Sequence, residues 1–255
     1  MARRINLVAT APKAGTYLGE SLLREMGLTP SHLHIGFDHT TFSDAEDGIL
    51  IDETMPGDLL TGDRRSIGVD VNIALRLLPP ASFAVSHLPP HVIDPRLWPD
   101  LRVLHIVRAP RDMLQAMFHY AMRILPPVPP HGEIAGSNAS DEEKMRKYLD
   151  LVVPGHVRLW ADLWNWTLCT NAITVHYDDL AAEKPGLADR IARHFGMDIG
   201  ADAAADALSR ALRSNTPTRS KRDKKAPVWS TDCEDIFRRF RMDAYETRVA
   251  AALAA

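Results

Sequence analysis

The stretch that most constrains the fold lies at the N-terminal end. An apolar run, Ile5-Asn6-Leu7-Val8-Ala9, leads into Thr10-Ala11-Pro12-Lys13-Ala14-Gly15-Thr16-Tyr17, and an amphipathic run from Leu18 to Met26 leads out. This pattern predicts a strand, a tight turn and a helix. The first-turn N–H groups of a helix lack internal partners, and the helix dipole adds partial positive charge there. A phosphate group can fill such a place, with Gly15 allowing close approach and Lys13 supplying a full charge. The order of residues is not that of the triphosphate loop G-x-x-x-x-G-K-[ST], because the lysine precedes the glycine and no second glycine is present. Taken alone, the stretch is equally an ordinary strand-to-helix connection carrying a solvated lysine.

A chain of 255 residues with 45% hydrophobic and 25% charged residues can bury a large core. A net charge of −3 argues against a dedicated nucleic-acid binder. The two cysteines, Cys169 and Cys233, build neither a disulfide framework nor a zinc site, so a reducing, cytoplasmic location is expected. No run of 18 apolar residues is present, and a membrane span is not expected. Without an internal repeat or an interdomain linker, residues 1–255 are read as one domain. Whether it forms a homodimer is left open.

Further along, residues 31–68 lack a clean period and are expected to form a pocket-lining loop. His32, His34 and His39 in it are read as solvated rather than metal-binding, and no metal site is expected. A helix is expected over Val71–Leu78, then a short buried strand, Ser82–Ser86, followed at once by His87-Leu88-Pro89-Pro90. A histidine at the carboxyl end of a strand stands where α/β sheets keep their active sites. Arg102–Val107 is the clearest strand and ends in Arg108-Ala109-Pro110-Arg111-Asp112. Met113, Leu114, Met117, Tyr120, Ala121 and Ile124 then form a helical stripe, read as core.

Residues 125–140 are expected to form a loop, and Asp141 to start a helix that Pro154-Gly155 interrupts. A second helix carries Val157, Trp160, Leu163, Trp164 and Leu168. The strand Ala172–Tyr177 and helices over 185–195, 203–212 and 231–251 complete the reading. Between the last two helices, Arg219-Ser220-Lys221-Arg222-Asp223-Lys224-Lys225 is either a solvated face or a strap that closes over a polyanion.

In this order Pro12-Lys13-Ala14-Gly15-Thr16, Ser86-His87-Leu88-Pro89, Val107-Arg108-Ala109-Pro110-Arg111-Asp112 and His176-Tyr177-Asp178-Asp179-Leu180 resemble the sulfotransferases that use 3′-phosphoadenosine 5′-phosphosulfate (PAPS). The resemblance implies a three-layer α/β/α fold with a central parallel sheet, similar to that of P-loop nucleotide hydrolases. It also implies transfer of a sulfuryl group to a hydroxyl of a small-molecule acceptor, with adenosine 3′,5′-bisphosphate as product. Lys13, Ala14, Gly15, Thr16 and Tyr17 would then hold the 5′-phosphosulfate end. Arg108, together with Arg222, Lys224 and Lys225, would hold the 3′-phosphate, and Tyr177 would lie at the adenine. His87 would be the general base and Lys13 the stabiliser of the leaving oxygen. Residues 31–75 and 121–155 would carry acceptor specificity.

Three positions depart from the family pattern. Ala116 stands where a phosphate-binding serine is usual, Val85 where cytosolic members have a lysine, and Tyr17-Leu18 where an aromatic that packs on adenine is expected one residue later. Two competing readings follow: a nucleotide kinase of P-loop type, and a nucleotide-binding module of the same fold without chemistry.

Overall fold

The computed structural model describes residues 4–35, 40–43, 66–68, 71–93, 96–124, 131–214 and 228–254. In chain order the elements begin β1 (Ile5–Thr10), α1 (Thr16–Glu25), β2 (Thr29–Ile35), β3 (Thr40–Ser43), β4 (Ser66–Gly68), α2 (Val71–Leu77), β5 (Ser82–Ser86), β6 (Leu101–Val107) and α3 (Pro110–Ile124). They continue with α4 (His131–Gly136), α5 (Asp141–Trp164), β7 (Ala172–His176), α6 (Tyr177–Ala181), α7 (Leu187–His194), α8 (Ala201–Arg213), α9 (Thr231–Arg239) and α10 (Met242–Ala254).

The strands form one sheet in the order β4-β3-β2-β5-β1-β6-β7. The five strands from β2 to β7 run parallel, while β3 and β4 add an antiparallel edge. Every residue of β1 and β5 is buried, as expected of parallel strands covered on both faces. Alternate residues serve opposite layers. Leu7, Ala9, Ala84 and Val103 pack with α3, α5 and α9, whereas Val8, Phe83, Val85, Leu104 and Ile106 pack with α1, α7 and α8. The fold is therefore the expected three-layer α/β/α arrangement.

The structure corrects four local expectations. The segment over 31–68 was expected to be irregular, yet its described residues include most of β2 and all of β3 and β4. Pairing at the sheet edge supplies order there that no local apolar alternation announces. Pro154 does not interrupt α5, because Met145, Tyr148, Leu149, Val152, Val153, Trp160 and Leu163 form one buried stripe on both sides of it. Pro154 and Gly155 lie on the exposed face, where a missing N–H costs least. Residues 131–136 of the expected loop form α4, and the last expected helix is divided at Phe240-Arg241, where Arg241 has φ 56°. The predicted start of α5 is present as a capping box between Ser140 and Glu143.

Candidate active site

Register brings the site together. Ala9 pairs with Ser86, so the next residues, Thr10 and His87, leave the sheet side by side. Val107 pairs with His176, so Arg108 and Tyr177 likewise emerge as neighbours. Thr10 pairs with Ile106, which sets the β1 turn between the two.

That turn runs from Ala11 to Ala14, whose N–H donates to the Ala11 carbonyl at 3.0 Å. Pro12 stands at its second position and Lys13 at its third with φ 65°, the pattern of a type II turn that ordinarily calls for glycine. Holding a lysine there costs about 1–3 kcal/mol of backbone strain, of the kind stored at functional sites. Arg108 secures the conformation, its Nη1 donating to the Lys13 carbonyl at 3.1 Å. Gly15, with φ 123°, is the N-cap residue of α1, and no side chain caps that helix. A Cβ on Gly15 would lie 2.8 Å from Cδ2 of Tyr177, so the glycine gives both the backbone angle and the room for the tyrosine ring. The hydroxyls of Thr10 and Thr16 bond across the loop at 2.7 Å.

The guanidinium of Arg108 stacks over the Tyr177 ring at 4.7 Å, and its Nε is buried with no hydrogen-bond partner among the described residues. A buried, unsatisfied guanidinium nitrogen beside an uncapped helix N-terminus fits an anionic ligand. The ammonium of Lys13 rests on the face of Tyr120, 3.1 Å from the ring centroid.

His87 is held on three sides. Its N–H donates to the Ile35 carbonyl at 2.9 Å, and its Nδ1 lies 2.6 Å from the Thr10 carbonyl. A carbonyl only accepts, so Nδ1–H is the donor and Nε2 carries the lone pair. Nε2 of His34 lies 2.8 Å from that lone pair. Burial lowers the pKa of His87 to about 4, the Thr10 hydrogen bond opposes this, and the charge of Lys13 adds to it. The imidazole is therefore neutral near pH 7, as a base must be. The Leu88 carbonyl accepts from the indole of Trp166 at 2.9 Å, which fixes the turn that follows.

Lys13, Ala14, Gly15, Thr16, Tyr17, His87, Arg108 and Tyr177 thus lie at the carboxyl ends of β1, β5, β6 and β7, with Tyr17 half-buried in the first turn of α1. Arg222, Lys224 and Lys225 lie outside the described residues. Ala116 is half-buried on α3, and Val85 belongs to the core. His39 and the side chain of His32 are not described, and among the described residues no group of three or more potential metal ligands occurs. Sequence reasoning missed Thr10, whose carbonyl fixes the His87 ring, and it took Tyr120 for core. It read His34 as solvated, whereas the structure buries it against His87. A hydroxyl directly before the turn was the one available signal for Thr10.

These features define an α/β protein whose first strand ends in a tight turn at an uncapped helix N-terminus. A sulfotransferase-domain profile matches residues 5–227, and the chain belongs to the sulfotransferase family. It is accordingly an enzyme of sulfuryl transfer. Among solved structures, mouse sulfotransferase SULT7A1 complexed with PAP aligns over 94% of this chain and 84% of its own, with 15% identity and a TM-score of 0.52. Retinol dehydratase in a complex with retinol and PAP aligns over 99% and 82%, with 15% identity and a TM-score of 0.56. These likenesses concern the fold. Among curated protein sequences none matches. The family match leaves the kinase reading without support.

Proposed function

We propose that His87 and Lys13 carry the chemistry and that PAPS binds with its 5′ end at the β1 turn. The acceptor hydroxyl oxygen attacks sulfur in line while the bond from sulfur to the bridging phosphate oxygen breaks. The hydroxyl proton goes to Nε2 of His87, and the charge developing on the leaving oxygen is met by Lys13 and the N–H groups at the start of α1. Arg108 binds the 3′-phosphate with its forked donors, aided by Arg222, Lys224 and Lys225, and Tyr177 lies against the adenine. This scheme needs no metal. A small-molecule hydroxyl is our choice of acceptor, a class to which the retinol bound by retinol dehydratase belongs. Residues 31–75 and 121–155 would select it. We further propose that residues 1–255 act as one domain and, since the chain holds only two cysteines and no disulfide framework, that the enzyme works in the reducing cytoplasm.

The observation that carries this reading is the double tie on the β1 loop. The Thr10 carbonyl orients the candidate base, and the Lys13 carbonyl holds the candidate 3′-phosphate arginine. The test is transfer of labelled sulfate from PAPS to a panel of phenols and alcohols, including retinol, with PAP binding followed by calorimetry. Arg108→Ala should weaken PAP binding by about 10–100-fold, the worth of a charge-assisted hydrogen-bonding group. His87→Ala should bind PAP normally and lose transfer. If wild type and His87→Ala both bind PAP and neither transfers to any acceptor, the chain is a nucleotide-binding module instead.

A further inference from the structure

His34 is a polar side chain of the site that the reaction above leaves unused, and it is almost completely buried, with 5% exposure. Its position depends on an irregularity in β2. Pro30 pairs with Phe83, but His34 pairs with Val85, so β2 gains two residues on its neighbour between these points. Irregularities of this kind re-aim side chains next to active sites. Here Ile35 comes beside Ser86, its carbonyl accepts the His87 N–H, and the imidazole of His34 meets that of His87. The ring centroids are 4.6 Å apart and tilted by 55°, with the two Nε2 atoms at 2.8 Å.

Proton positions follow from the partners. The Thr10 carbonyl requires a proton on Nδ1 of His87, so the neutral ring has its lone pair on Nε2. The hydrogen bond between the two Nε2 atoms then requires that His34 be the donor, through its Nε2–H. An imidazole lone pair accepts one well-aligned hydrogen bond, and it is the same lone pair that must receive the acceptor proton.

We propose that His34 is a positioning residue for His87, its Nε2–H holding the lone pair of the base in line until the acceptor hydroxyl takes the place of that donor. With Thr10 on one nitrogen and His34 on the other, the ring cannot turn away in the absence of acceptor. When the hydroxyl arrives, it replaces one donor by another, so the lone pair is never left unsatisfied in a buried setting. His34 keeps its own proton throughout, and the transferred proton ends on His87.

The proposal rests on His87 being the base, and its test separates the two. The amide nitrogen of glutamine reaches about as far as Nε2 of histidine, whereas the amide of asparagine falls short of it. In the wild-type acceptor assay, His34→Phe and His34→Asn should lower kcat by about 10–100-fold, the usual effect of removing a partner that orients a reactive imidazole. PAP affinity should stay unchanged, and His34→Gln should recover most of the loss. Wild-type kcat in His34→Asn, or a His34→Gln enzyme as slow as His34→Asn, overturns the proposal. A His87→Ala enzyme that still transfers sulfate overturns the base assignment instead. Nitrogen-15 NMR of the wild-type imidazoles at pH 7 gives a readout that needs no acceptor. His87 should be the Nδ1–H tautomer and His34 the Nε2–H tautomer, and the opposite tautomer at either ring also overturns the proposal.

Discussion

At the residue scale, burial decides the pH at which His87, the proposed base, is neutral. A histidine of ordinary pKa near 6.5 would be half protonated, and useless as a base, in mildly acidic buffer. With its pKa lowered to about 4, His87 is neutral throughout that range. The acid limb of kcat/KM should therefore have its midpoint near 4, and an acid limb centred at 6.5 would count against His87 as the base. Lys13 offers a second test. Its ammonium lies on the face of Tyr120, and this contact depends on the ring and not on its hydroxyl. Tyr120→Phe should leave PAP affinity within about twofold, because the ring face is retained. Tyr120→Leu should weaken it by about 2–30-fold, equivalent to roughly 0.5–2 kcal/mol of cation–π attraction.

At the scale of elements, the turn between β1 and α1 keeps its place because α1 approaches β1 and β6 closely. A Cβ on Gly19 would stand 2.7 Å from Cδ1 of Ile106 and 2.8 Å from Cγ1 of Val8. Glycine inside a helix costs about 1 kcal/mol relative to alanine, so by propensity alone Gly19→Ala should stabilise. Overpacking a closed interface costs about 1–3 kcal/mol, and here both contacts are branched core side chains. Gly19→Ala should therefore lower the melting temperature, and a rise would show that α1 moves outward at little cost. The strand–turn–helix order, the apolar strands and the four motif stretches were legible because each is local: period two, period 3.6, or a fixed order of polar residues at a strand end. The contacts that make them one site were not. His34 meets His87 through an irregular register, Arg108 meets Tyr177 through the pairing of β6 with β7, and Tyr120 lies under Lys13 across a layer. The single helix through Pro154 was missed for the opposite reason, since a strong local signal lost to a continuous buried stripe.

Across the whole molecule, several titrations share one sign. His87 and His105 are buried in the sheet region, and burial lowers their pKa values to about 4 and about 3. Desolvation also lowers His131 and His194. Glu234, hydrogen-bonded to Arg111 where α9 meets α3, is lowered to about 2. For each histidine the unfolded chain takes up a proton below pH 6.5 that the folded chain refuses until its own, lower pKa is reached. The unfolded state therefore binds more protons in that window, and stability falls as pH falls. Glu234 adds the same sign lower down, its contribution present above about pH 4.5 and lost as pH approaches 2. Acid destabilisation should thus begin below pH 6.5, above the range of carboxylate titration, at a slope of about 1.4 kcal/mol per pH unit for each fully buried histidine. His105 gives the cleanest check, because it lies outside the proposed chemistry and its side-chain hydrogen bond is to Thr174, at 3.2 Å from Nδ1. Asparagine reaches about as far as Nδ1 and keeps a polar partner for Thr174, but it does not titrate. His105→Asn will be less stable at pH 7, since it leaves space in the core. Its further loss between pH 7 and pH 5, measured by denaturant melts, should nevertheless be smaller than that of the wild type. An equal loss would mean that His105 charges freely in the folded chain, and the acid sensitivity would then have to come from elsewhere.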